Sequence, residues 1–73
     1  MAVKIHSILF KKKYWTTQEA LRWCRKAGLK PKLYFLTQSR DLIIRFMTAK
    51  QIIRLKGHKL VKNKSITIYL GFT

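Results

Sequence analysis

Acidic residues are almost missing from this chain. Glu19 and Asp41 are its only carboxylates, against 17 lysines and arginines, for a formal net charge of +15. Paired-acid catalysis therefore has little to work with, and no carboxylate cluster exists to hold a hard cation. Cysteine is as scarce: Cys24 stands alone, which excludes an intrachain disulfide and any multi-thiolate metal site. The two histidines, His6 and His58, lie far apart and lack the Cys/His spacing that a metal site requires. With three glycines and one proline, the chain has no linker, low-complexity tract or glycine-rich phosphate loop. No apolar run approaches the roughly 18 residues needed to span a bilayer. The stretch MAVKIHSILF lacks a charged-apolar-small signal pattern and alternates as a strand does. These absences predict a non-catalytic protein of a reducing, intracellular compartment, with no cofactor, metal or small-molecule substrate.

What is present is enough to fold. The 73 residues are 48% hydrophobic, too apolar for a disordered basic tail and about the size of one small domain, residues 1–73. The organising stretch is YWTTQEALRWCRKAGLKP, Tyr14 to Pro31. Thr16 and Glu19 have the spacing of a capping box, and Trp15 with Ala20 that of a hydrophobic staple. Ala20, Trp23, Cys24 and Ala27 recur at helical spacing as one apolar stripe, with Leu21 at its flank and Arg22, Arg25 and Lys26 opposite. Gly28 and Pro31 end the helix. On that stripe, Cys24 reads as a packed thiol and not as a nucleophile.

Val3–Phe10 is the first predicted strand, with Val3, Ile5, Ser7 and Leu9 on one face and Lys4, His6, Ile8 and Phe10 on the other. Lys32–Thr37 and Leu42–Thr48 form the second and third, antiparallel because the loop between them is short. Arg45 interrupts the third, either snorkelling at the sheet edge or carrying a cation on an open face. Thr48 caps a shorter helix, Ala49–Lys56, with Ile52, Ile53 and Leu55 inward and Gly57 as its stop. For residues 58–62 a hairpin strand and a loop both fit. Ser65–Leu70 alternates cleanly as the last strand. The expected fold is α+β: a small β-α-β-β-(α)-β domain, mainly antiparallel, with one helix packed on the sheet.

So many cations destabilise a compact body unless something anionic relieves them. They fall in three groups: Lys11, Lys12 and Lys13; Arg22, Arg25, Lys26 and Lys30; and Lys56, Lys59, Lys62 and Lys64. On one side of the molecule these would meet several phosphates. Tyr14, Tyr34 and Tyr69 are the candidates to stack on bases, with Trp15, Trp23, Phe35 and Phe46 assigned to the core. No motif for reading sequence is present. The expected function is nucleic-acid binding through the phosphate backbone, double-stranded DNA before RNA, with little sequence specificity. The alternative is an adaptor that docks on an acidic protein. Surplus apolar surface and open strand edges also point to a homodimer.

IHSILF, the Tyr14–Pro31 stretch, LIIRFM and ITIYLGF, in that order, resemble a group of short basic proteins of uncharacterised function. Large double-stranded DNA viruses of eukaryotes encode these in multiple copies, and some phages carry similar frames. The shared pattern is a strand ending in Phe, a W/F-T/S cap, A-x-x-W in the helix, G-x-K-P after it, an arginine-bearing strand and a closing Gly-Phe or Gly-Tyr. Members usually have a more polar, arginine-rich third strand than LIIRF, and the stretch after it differs here. The resemblance implies a viral protein of genome organisation or expression, in host cytoplasm, nucleus or virion, and supplies no catalytic residues.

Overall fold

A computed structural model describes residues 2–73. Five strands and two helices follow as β1 (Val3–Phe10), α1 (Thr17–Lys26), β2 (Leu33–Leu36), β3 (Leu42–Arg45), α2 (Ala49–Ile53), β4 (Gly57–Lys62) and β5 (Ile66–Phe72). The strands form one sheet in the order β2-β3-β1-β5-β4, with every neighbouring pair antiparallel. This is the α+β architecture expected, with residues 58–62 resolved as hairpin strand and not loop.

Helix α1 starts where its cap dictates. The Glu19 amide donates to the Thr16 hydroxyl at 3.2 Å, and the Thr16 amide donates to the Glu19 carboxylate at 3.1 Å. Gly28 takes φ +78° after the helix, the left-handed conformation that glycine adopts without a Cβ penalty. Ala20 and Cys24 are fully buried against Ile8, Phe10, Leu42, Ile44 and Phe46, with Trp15, Leu21 and Trp23 packed at the margin. Phe10 anchors this cluster, its ring centroid 5.0 Å from that of Trp15 and 5.9 Å from that of Trp23. Burial of Cys24 pushes its thiol up to about 11, so it stays protonated and packs as a small apolar group. Ala27 is exposed: the stripe ends one turn earlier than its spacing predicts, because the chain turns away at Gly28 to reach β2.

Two rows of paired residues define the face that α1 covers: Tyr34, Ile44, Ile8, Ile68 and Val61 in one, Leu36, Leu42, Phe10 and Ile66 in the other. The opposite face carries Leu33, Arg45, Ser7, Tyr69 and Leu60 in a row, then Phe35, Ile43, Leu9, Thr67 and Lys62. Strict alternation fails in β1. A bulge between Ile5 and Ser7 adds one residue against β5, so Val3 and Ile5 share the α1 side with Ile8 and Phe10. His6 leaves that side and joins Ser7 on the other, where Nδ1 and the Ser7 hydroxyl share a 2.9 Å hydrogen bond.

Helix α2 is shorter than the predicted 49–56 and lies on this second face. Thr48 and Gln51 form its capping box at 2.8 and 3.3 Å. Ile52 faces Ile43, Arg45 and Tyr69, whereas Ile53 is 82% exposed and not inward. The helix ends at Ile53 with Arg54 as C-cap, because the Lys56 amide already donates to the Phe72 carbonyl at 2.8 Å, pulling the chain into β4. Gly57 thus begins a strand and does not stop the helix. Phe35, assigned to the core by composition, is 38% exposed on edge strand β2. Among the described residues no element covers that flank.

Candidate nucleic-acid interface

Three loops meet at the end of the sheet where β1 runs into α1. The β1–α1 loop is tied to β5 by the Lys11 amide, which donates to the Ser65 carbonyl at 3.0 Å. It is tied to the β2–β3 loop by the Lys12 amide, which donates to the Asp41 carboxylate at 2.9 Å. The β4–β5 turn brings Lys64 beside Tyr14: the ammonium lies 6.0 Å from the ring centroid, and that of Lys13 lies 5.7 Å from it. Tyr14 is 41% exposed. It is therefore an accessible aromatic face bracketed by two cations that are 51 residues apart in sequence.

Next to it, a groove of about 390 Å³ is lined by Lys12 and Arg40, by Trp15, Thr16 and Thr17 at the start of α1, and by Leu36 and Leu42. Arg40 holds φ +64° in the β2–β3 turn. Sequence reasoning left Arg40 out, since QSRD reads only as a polar turn; the reach of Asp41 to the Lys12 amide is what brings it here. The helix terminus adds its positive dipole end, partly answered by Glu19.

The other expected contacts divide. Arg22, Arg25 and Lys26 are exposed on α1, with Arg22 bordering shallow grooves on both flanks of the helix. They continue the basic surface along a helix about 15 Å long. Lys62 is on the face opposite α1 and Lys59 on the α1 side of the same edge strand. Lys30 follows the C-terminus of α1 and Lys56 precedes β4, both toward the far end of the sheet. Lys11, Lys12, Lys13 and Lys64 are thus brought together, Arg22, Arg25 and Lys26 lie further along α1, the last two in its final turn, and Lys30, Lys56 and Lys59 stand apart.

Both carboxylates are already engaged by backbone amides, Glu19 with Thr16 and Asp41 with Lys12. Among the described residues no group of three or more His, Cys, Asp or Glu could hold a metal ion, and no helix is long and apolar enough to cross a membrane. On the second face His6 and His58 come into edge-to-face ring contact, centroids 5.5 Å apart, although they are 52 positions apart in sequence. Tyr69 lies 5.9 Å from His6, so of the three tyrosines it is the one drawn inward, while Tyr34 is exposed on β2. The trace of this cluster in the sequence is the polar pair His6-Ser7 in the middle of strand β1. No protein-family model, curated protein or solved structure matches this chain.

Proposed function

We propose that the protein binds nucleic acid, double-stranded DNA above all, through its phosphate backbone and with little preference for sequence. The observation that carries this is the convergence of Lys11–Lys13, Arg40 and Lys64 around Tyr14 and the start of α1, on a chain whose two carboxylates are bound to its own backbone. Nothing acidic within the molecule answers the charge, so a polyanion does. Arg22, Arg25 and Lys26 extend the contact along α1. The resemblance to viral basic proteins favours a role in genome organisation or expression, in host cytoplasm, nucleus or virion.

A homodimer belongs to the same proposal. Edge strand β2 (LYFL) exposes all four side chains and carries no charge, whereas the opposite edge, β4, bears Lys59 and Lys62. Lysine on an edge blocks strand pairing; its absence from β2 leaves that edge free to pair with a second copy.

The decisive experiment is a salt titration of binding to a short duplex, repeated with single-stranded DNA and RNA. Six phosphate contacts give a log–log slope of about −5. Micromolar binding should persist at about 150 mM salt, and Lys13→Glu with Lys64→Glu should weaken it by about tenfold or more. Absence of binding there, or equal affinity for heparin, favours the adaptor that docks on an acidic protein.

A further inference from the structure

The face opposite α1 carries a second positive site, unrelated to the duplex surface. A cavity of about 160 Å³ is lined by His6, Ser7, Arg45 and Tyr69, with Ile43 and Ile52 as its apolar wall. Arg45 and Tyr69 are the residues paired with Ser7 from either side, so three hydrogen-bonding side chains stand in one row across β3, β1 and β5. His6, 8% exposed, joins them through the bulge, and His58 meets its ring edge-on from β4. The Arg45 residue is half-buried and its guanidinium lies 5.2 Å from the centre of the Phe35 ring. Asp41 lies beyond the other end of β3, and Glu19 is on α1 across the sheet. The guanidinium of a half-buried arginine beside two imidazoles, out of reach of any carboxylate, has unused donors and uncompensated charge.

We infer that this pocket binds a phosphomonoester, such as the terminal phosphate of a nucleic-acid strand or of a free mononucleotide. A monoester carries the second negative charge that a backbone diester lacks, and its three terminal oxygens suit donors converging from Arg45, His6, Ser7 and Tyr69. The apolar wall leaves the donors on one side, the arrangement for an end group and not for a continuous strand. A divalent cation is the wrong occupant, because Arg45 and Lys4 lie on this face and no acid does.

Protonation belongs to the same device. Burial, then His58, then Arg45 hold the His6 ring below the ordinary imidazole range. The groups facing it are Lys4 and Ser7 from its own strand, Arg45 from β3, Tyr69 from β5 and His58 from β4, with α2 contributing apolar Ile52. None of them is an anion that would stabilise an imidazolium. A bound dianion would, and by linkage a ligand that raises the pKa binds better to the protonated form. Since the second ionisation of a phosphomonoester lies near pH 6 and His6 titrates below its free value, affinity should peak on the acid side of neutrality, between the two ionisations, and fall on both sides.

The test is an NMR titration of the full chain with inorganic phosphate, adenosine 5′-monophosphate and adenosine, following the histidine ring and Arg45 side-chain resonances. Phosphate and the nucleotide should shift His6, His58 and Arg45 and raise the His6 pKa, and adenosine should not. If the nucleotide binds no better than phosphate, the source is any phosphate; if better, a nucleotide. Either supports the site. Arg45→Met keeps the stem over Phe35 and should reduce affinity about tenfold or more, while exposed His58→Gln should lower it less. Duplex binding should persist in both variants, which separates this site from the surface around Tyr14. Shifts confined to the Lys11–Lys13 loop, equal binding of adenosine, or undiminished phosphate affinity in either folded variant would overturn the inference.

Discussion

Single residues decide this molecule where a polar atom is buried. Trp15 packs its ring on Phe10 but leaves Nε1 buried without a partner, a cost accepted because the indole closes the N-terminal end of the core. His6 is the more consequential case. Its folded pKa lies below the free value of 6.5, so the unfolded chain takes up its proton first as pH falls. Its contribution to stability is fully present above about pH 6.5 and is lost as pH drops through the folded value. Thermal melts from pH 7.5 to 5 should therefore show a falling midpoint, and His6→Gln, which keeps a hydrogen-bonding side chain beside Ser7 without titrating, should flatten that part of the slope. An unchanged slope in a folded variant would mean that His6 is not what the acid attacks.

At the scale of elements, the two helices are held by different means. Helix α1 has a capping box, two fully buried side chains and a glycine stop. Helix α2 has a box of its own but no buried residue, and besides Ile52 it is held to the sheet by Leu55, just past its end, lying over Gly71. A Cβ at Gly71 would meet Leu55 Cδ2 at 2.9 Å and Cγ at 3.1 Å. Gly71→Ala should therefore displace Leu55, loosen α2 and cost about 1–3 kcal/mol. Faster exchange of the Lys56 amide, with core amides of β1 unaffected, would register it; a wild-type melt and exchange pattern would contradict it. This contrast also explains what could be read from the chain alone. The helix at 17–26 was legible because cap, stripe and stop agree locally. The inward side of α2, the exposure of Phe35 and the strand at 57–62 depend on which neighbours the sheet supplies, which no local pattern encodes. The basic loops were legible as charge. Their meeting with Arg40, and the His6–His58 contact, needed the bulge and the strand order.

For the molecule as a whole, charge and apolar surface act against each other. The body measures 34 × 20 × 19 Å and carries +15, so two copies repel at low ionic strength. Yet β2 ends the sheet with Leu33 51%, Tyr34 53%, Phe35 38% and Leu36 59% exposed and its outer backbone edge free. Pairing about a two-fold axis normal to the sheet keeps each residue on its own face, so Phe35 opposes Phe35 and Tyr34 opposes Leu36, continuing the apolar rows of both faces. Salt shortens the screening length from about 10 Å at 0.1 M to about 3 Å at 1 M, removing the repulsion without weakening apolar contact. Self-association should accordingly rise with salt, the reverse of DNA binding. Duplex DNA at low salt should also promote it, because bound phosphate neutralises the same charges. Sedimentation of the free protein should show monomer at about 0.05 M salt and dimer at about 0.5 M. Leu33→Lys with Tyr34→Lys should remain monomeric at both while still binding DNA, since neither residue lines the groove at Lys12 and Arg40 beside Tyr14. A wild-type protein that stays monomeric at high salt and on DNA would show that the exposed β2 edge is tolerated and not used.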